Sequence, residues 1–252
     1  MKLKKIFLFI SLYFFYNPFF IKSQDIIKES SVNLKFATMK LLGDNPSMKP
    51  QIFQLGGTSQ IYSGGGLQFI EPGVELLVNL YLDENNTHRG IVGTEVMFLK
   101  SLEKMPTSAN SYLFAKHYIS LFDIFLGYHY AFWDMKWQNA KLYIGPEVML
   151  NMMLNNKFDG GTKYLSSNTP AINTMISTKK DFATRIGGRI RLGVEGQIRD
   201  NWYVNSSFAI GIYNLLLRNS KTGELLNSKN EYETKEQLQA FYNFNVGIQY
   251  KF

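Results

Sequence analysis

The chain has 252 residues, a formal net charge of +7 and no cysteine. Without cysteine it has neither a disulfide framework nor a lipid anchor attached through a cysteine. Residues 1–23 hold four lysines and no acid, so the remainder carries 23 basic against 20 acidic residues. This balance gives little support to nucleic-acid binding, which requires a clustered basic face, and we expect no nucleic-acid partner.

The N-terminal segment MKLKKIFLFISLYFFYNPFFIKSQ predicts a secretory signal peptide over residues 1–23. Three lysines precede an apolar run that begins at Ile6, and an Asn-Pro pair interrupts this run before the ~20 residues that a membrane-spanning helix needs. We expect cleavage after Ser23. Residues 24–252 are interpreted as one domain, because no Pro- or Ser-rich linker and no shift in composition divides them.

From residue 31 onward, apolar and polar residues alternate with a period of two, which is the pattern of β-strands with one apolar and one polar face. The final segment shows it most clearly, since its even positions are apolar or aromatic and most of its odd positions are polar or glycine. We predict eight strands, at residues 31–41, 67–82, 88–100, 112–132, 141–154, 184–199, 202–217 and 238–252.

The connections between these strands alternate strictly between short and long. Those after the second, fourth and sixth strands are short, and the others are longer. Transmembrane β-barrels have this asymmetry, with tight turns on the periplasmic side and long loops outside. Residues 43–66 contain the segments QIFQL and SQIYS, which leave open a further hairpin and a ten-stranded barrel.

Three features favour a membrane barrel over a soluble β-sandwich. Many predicted strands run 13–16 residues, which exceeds the usual ~5–6 of globular sheets and covers the ~9–11 needed to cross a bilayer. Each strand from the second onward places a glycine on its polar face, as a narrow closed sheet requires. Aromatic residues also gather beside the short turns, where we predict a membrane-interface girdle of Trp133, Trp137, Trp202 and Tyr250.

The polar faces carry both signs of charge. In an eight-stranded barrel the interior is only wide enough for side chains or one small ligand, so we expect these charges to pair across the lumen as a polar plug. The alternative is an arginine-lined anion site or a narrow anion pore. The predicted lumen charge network comprises Glu71, Glu75, Glu95, Asp123, Lys141, Glu147, Arg185, Arg189, Arg191, Glu195 and Arg199, and Lys35 and Lys251 are predicted to face inward as well.

No catalytic, cofactor or metal site is predicted. His117 and Ser120 lie three residues apart in a strand, on opposite faces, and so cannot form a nucleophile–base pair. Asp123 and His129 share a face, but six residues at ~3.3 Å each place them ~20 Å apart. We therefore expect no enzymatic activity.

The long fifth connection combines positive charge with aromatic residues. Lys157, Phe158, Tyr164, Lys179 and Lys180 are candidates for contact with lipopolysaccharide or with a partner protein. The alternative is an ordinary solvated and variable loop.

The signal peptide, the glycine-punctuated strands GPEVMLNMML and GVEGQIRDNWYVNSSFAIGIYNLL, and the aromatic final strand resemble the small outer-membrane β-barrel domain proteins of Gram-negative bacteria, the PorT-like and OmpA/OmpX-like barrels. The resemblance implies an outer-membrane location and an all-β, up-and-down antiparallel barrel. It also implies that Tyr250 and Phe252 act as a signal for the barrel assembly machinery. The polar, charge-balanced lumen favours a non-enzymatic barrel that serves envelope structure or surface interaction through its outer loops, and the resemblance implies the alternative of an accessory role in protein secretion. A lipid-modifying outer-membrane enzyme is a further alternative.

Overall fold

The computed structural model describes residues 27–43, 51–55, 59–64, 66–136, 139–165, 172–180, 182–218 and 237–252. The predicted signal peptide and Trp137 lie outside these residues. Within the described part of the chain, no helix is long and apolar enough to cross a membrane.

Eleven β-strands make up almost all of the described structure. They are β1 (Glu29–Leu42), β2 (Gln51–Leu55), β3 (Ser59–Gly64), β4 (Glu71–Tyr81), β5 (His88–Ser108), β6 (Ser111–Met135), β7 (Ala140–Tyr164), β8 (Ile172–Lys180), β9 (Ala183–Arg199), β10 (Trp202–Leu216) and β11 (Gln239–Lys251).

Eight of these strands close into an antiparallel ring. The hydrogen-bonded order is β6-β5-β4-β1-β11-β10-β9-β7, and pairing of β6 with β7 closes the circle. The eight ring strands coincide with the eight predicted from the sequence, so the predicted barrel is confirmed. The segments at 51–55 and 59–64 do form a hairpin, but β2 and β3 pair only with each other, so the ring does not expand to ten strands.

β5 and β7 extend further toward the loop end than predicted, to Ser108 and Tyr164 instead of residues 100 and 154. β5, β6 and β7 run 21, 25 and 25 residues and rise beyond the ring at the loop end. A register irregularity opposite Ser120 and Leu121 breaks the alternation of β7 just after Leu154, where the sequence pattern had ended the strand. β8, which was not predicted, pairs with the outer part of β7, so residues of β5–β8 form a four-stranded sheet beyond the ring, the outer sheet.

Short turns close the opposite end of the ring. Asn86, Asn139 and Asp200 each adopt a positive φ (56°, 47° and 43°) in these turns, a conformation that Asn and Asp tolerate better than other non-glycine residues. In the first turn the Asp83 carboxylate accepts hydrogen bonds from the backbone N–H groups of Thr87 (2.8 Å) and His88 (2.7 Å).

The apolar face of the ring points outward. On β11, Phe244 and Ile248 are exposed, the latter to 54%, whereas Asn245 and Gln249 on the opposite face are fully buried. A soluble β-sandwich has the reverse arrangement. An outward apolar band around a polar interior, with backbone hydrogen bonds closed through the ring, is the arrangement of an outer-membrane barrel.

Aromatic side chains lie around the turn end of this band. Trp133 and Trp202 are exposed to 59% and 49%, and the ring of Trp202 meets that of Tyr250 edge-on at a centroid distance of 5.0 Å. Phe252 is also exposed, and its backbone N–H donates to the carbonyl of Ser30 (3.0 Å), which fixes the end of β11 against β1. These positions agree with an aromatic girdle at one membrane interface.

Candidate functional site: the lumen

Two arginines on the inward face of β9 form the centre of the lumen. Arg191 binds both carboxylate oxygens of Glu75, with Nη1–Oε1 at 2.8 Å and Nη2–Oε2 at 2.6 Å. It also donates from Nε to Glu147 Oε1 at 2.5 Å. Glu75 lies on β4, four strands from β9 in either direction around the ring, so this bidentate pair joins opposite walls of the barrel.

Arg189, two residues before Arg191, binds a third carboxylate. Its Nη1 donates to Glu95 Oε2 at 2.5 Å, and its Nε donates to Glu147 Oε2. Lys35 completes the cluster with its Nζ 3.2 Å from Glu75 Oε1. Three cations therefore meet three carboxylates, all of them almost completely buried, so the centre of the lumen is neutral overall.

Polar neighbours form further hydrogen bonds with these carboxylates. Asn245 Nδ2 donates to Glu75 (2.7 Å) and Asn243 Nδ2 donates to Glu95 (3.1 Å), both from β11. His129 Nε2 lies 2.9 Å from Glu147 Oε1. Multiple hydrogen bonds of this kind offset part of the cost of removing charges from water.

A second charged cluster lies nearer the turns. Arg89 Nη1 binds Glu195 Oε2 at 2.5 Å, and Lys251 Nζ lies 3.6 Å from the other carboxylate oxygen. The Arg89 guanidinium also lies over the ring of Tyr143, 3.9 Å from its centroid. Below this cluster a vestibule of about 270 Å³ opens toward the turn end, lined by Lys141, Tyr203 and Lys251 among others.

Apolar side chains fill the lumen on the loop side of the charges. Asp123 marks the boundary, where it accepts hydrogen bonds from Tyr213 Oη (2.9 Å) and Asn151 Nδ2 (2.8 Å). Beyond it, buried methionine, leucine and aromatic residues from six ring strands pack together. This layer includes Met39, Leu41, Met97, Leu99, Ile119, Leu121, Met149, Met153, Tyr213 and Phe241.

Glycines on the inward face make room for aromatic rings within this narrow interior. A side chain at Gly93 would lie 2.5 Å from the ring of Phe125, and one at Gly193 would overlap the ring of Tyr143. Phe125 in turn lies under Arg189, whose guanidinium carbon is 4.3 Å from the ring centroid. The glycines noted in the sequence thus allow the side chains of neighbouring strands to fill the lumen.

The structure places most of the sequence-predicted charges inside the barrel. Glu71 and Arg185 are buried nearer the loop end. Lys141 is half-buried at the rim, where it donates to the backbone carbonyl of Asn85. The placement of Arg199 in the lumen was wrong: its side chain is 83% exposed and pairs with Asp200, because the inward alternation ends before the tight turn.

Sequence reasoning missed Arg89, which is one of the largest fully buried side chains. The alternation does place Arg89 inside, because Arg89 and Glu95 both occupy odd positions of β5. The residues predicted to face inward on that strand, however, began after Gly90. It also missed the pairing of His129 with Glu147.

The residues weighed for catalysis are not brought together. His117 is buried with its Nε2 2.8 Å from Asn156 Oδ1, whereas Ser120 lies on the outward face. Asp123 and His129 bind different partners, Tyr213 and Glu147. Among the described residues, no group of three or more His, Asp or Glu side chains is arranged to hold a metal ion.

No protein-family model matches the chain, and no curated protein matches it. Similar solved structures include the attachment invasion locus protein Ail of Yersinia pestis, with 12% identity over 89% of this chain and 98% of that chain and a TM-score of 0.40. Neisserial surface protein A has 12% identity over 88% and 97% (TM-score 0.42), and a major outer membrane protein from Thermus thermophilus has 9% identity over 88% and 99% (TM-score 0.42). Likenesses this distant carry no argument about the role of this chain.

Proposed function

We propose that the protein is a closed, non-conducting outer-membrane barrel that holds its outer sheet at the cell surface for structural or surface-interaction purposes. The bidentate pair between Arg191 and Glu75 is the observation that carries this proposal, because it connects opposite walls at the middle of the lumen. A water-filled pore would separate these walls.

The two layers of the lumen support the same conclusion for different reasons. The charged layer is neutral overall, with Lys35, Arg189 and Arg191 against three carboxylates, so it offers no net field that would select an anion. The layer beyond it is mainly apolar, so an ion that enters it loses most of its polar partners, and an unpaired ion in such surroundings is strongly disfavoured. An ion would have to disrupt both layers to cross.

Loop-end architecture supports a surface role. β5, β6 and β7 continue well beyond the ring, and β8 adds a fourth strand that takes no part in closing the barrel. Strand pairing that is unnecessary for spanning the membrane stabilises a sheet in the position of an outer-membrane barrel's external loops. We propose that this sheet, rather than the lumen, makes the contacts on which the protein's role depends.

Planar-bilayer recording tests the closed lumen. The purified barrel should insert without stable current steps at high salt, since eight-stranded barrels of this width are filled by side chains. The Glu75→Ala/Glu147→Ala variant, if it inserts, removes the cross-lumen carboxylates and should show flickering currents. Large, stable steps from the unaltered protein would contradict the proposal and favour an anion pore.

A further inference from the structure

A row of lysines crosses the outward face of the outer sheet. The strand register places Lys100 of β5 beside Tyr118 of β6, Tyr118 beside Lys157 of β7, and Lys157 beside Lys179 of β8. All four side chains are exposed, and Lys100 Nζ lies 5.6 Å from the ring centroid of Tyr118. With ~4.8 Å between neighbouring strands, this lysine rung is roughly 14 Å wide.

The height of the lysine rung relative to the membrane follows from the strands themselves. On the same outward face, His88 pairs with Tyr130 at the aromatic turn end of the barrel, twelve residues before Lys100. Twelve residues at ~3.3 Å span about 40 Å along the strand, or about 30 Å along the barrel axis at a tilt of ~40°. The apolar band of such barrels is ~25 Å tall, so the rung lies at the level of the outer lipid headgroups.

The surface below the rung supports this placement. The outward residues of β5 between these two levels include Val92 and Phe98, which are exposed to 45% and 51%, and those of β6 include Leu126, exposed to 64%. Charge first appears on this face at the rung. The lysines therefore lie directly at the loop-side edge of the lipid-facing apolar surface.

The rung and its neighbours carry an excess of positive charge. Lys116 and Asp159 form the next pair outward, and Asp159 is the one carboxylate that the described residues place on this part of the face. Lys157 Nζ lies 2.8 Å from Asp159 Oδ2, and this hydrogen bond holds the pKa of Asp159 below its usual value. The group of four lysines and one aspartate thus keeps a net charge of +3 at neutral pH.

We propose that the lysine rung binds the phosphate groups of lipids in the outer leaflet. Lysine is a compact, three-donor cation suited to phosphate, and basic residues at a membrane surface each strengthen binding to anionic lipid. Tyr118 and the apolar residues beneath it provide the adjoining contact for the acyl region of the same molecule. The inference shares the outer-membrane placement with the proposed function but does not depend on a closed lumen.

A lipid-retention experiment tests this assignment. The refolded full barrel would be equilibrated in detergent with equal amounts of a phosphorylated glycolipid and the same glycolipid without phosphate, and its bound lipids counted by native mass spectrometry. The unaltered protein should retain the phosphorylated lipid preferentially. The Lys100→Gln/Lys157→Gln/Lys179→Gln variant should lose that preference by at least about tenfold, because three surface lysines are removed.

The matched control removes three exposed cations at the turn end, as Lys28→Gln/Lys136→Gln/Arg199→Gln. It should keep the preference of the unaltered protein. Equal retention of both lipids by the unaltered protein, or equal losses in the two triple variants, would overturn the proposal. So would displacement of the lipid by millimolar inorganic phosphate, which would show a site for free anions instead. Bilayer conductance is independent of all these outcomes, so failure here leaves the closed lumen untouched.

Discussion

Replacing Arg191 with methionine should lower the free energy of unfolding of the barrel by about 3–5 kcal/mol. The side chain is fully buried and binds two carboxylates, Glu75 and Glu147, on different strands. Its removal leaves buried negative charge without its main partner, and the cost of that uncompensated charge exceeds the loss of the contact itself. Urea unfolding of the refolded protein in lipid vesicles, followed by tryptophan fluorescence, measures the change.

Arg199→Met provides the control, since Arg199 lies on the adjoining part of the same strand and is 83% exposed. It should change the unfolding free energy by less than about 0.5 kcal/mol. If Arg191→Met were as stable as Arg199→Met, the cross-lumen network would not stabilise the barrel as described.

Substitution of Gly193 by alanine should destabilise the barrel by about 1–3 kcal/mol through overpacking. A methyl group at this position would overlap the ring of Tyr143, which cannot swing away because Arg89 packs on it and its hydroxyl donates to Asn205 Oδ1 at 2.8 Å. Heat-modifiable gel migration should show the folded form of Gly193→Ala converting at a lower temperature than that of the unaltered barrel.

Gly196 on the same strand is the matched position. A methyl group there would meet only the Cβ of Ala140, at 3.8 Å, so Gly196→Ala should leave the conversion temperature almost unchanged. Combining Gly193→Ala with Tyr143→Val should recover part of the loss, because the two residues contact each other and their effects should not add. Additive losses in the double variant would contradict the steric explanation.

The eight ring strands could be predicted from the sequence because each strand has one face toward lipid and one toward the interior. Apolar and polar residues therefore alternate along the strand with a period of two. The same parity assigned Glu75, Glu95 and Arg191 to the interior. It assigned Arg199 there too, incorrectly, because parity carries no information about where a strand leaves the barrel and enters a turn.

Which charges meet could not be predicted in this way. Arg191 and Glu75 are 116 residues apart and approach each other only once the ring has closed with a particular register. The outer sheet could not be predicted for a related reason. The irregularity after Leu154 moves the inward-facing residues of β7 from odd to even positions, so the alternation that marks the strand is interrupted there. The sequence singled out Lys157 and Lys179 but not their alignment in the lysine rung, because that alignment depends on the pairing of β8 with β7.

Two neighbouring serines on β10 allow the most direct test of the barrel's orientation and sealed interior. Ser206 lies on the outward face, whereas Ser207 is buried and accepts a hydrogen bond from Arg191 at 3.0 Å. Because the chain has no cysteine, Ser206→Cys and Ser207→Cys each introduce a single thiol at nearly constant side-chain volume.

Maleimide labelling of the two variants in lipid vesicles is the measurement. The thiol of the Ser206→Cys variant should react with a lipid-soluble maleimide and not with a water-soluble one, and the thiol of the Ser207→Cys variant should react with neither. Rapid labelling of the Ser206→Cys variant from water would contradict the lipid-facing assignment, and rapid labelling of the Ser207→Cys variant from water would contradict the sealed lumen.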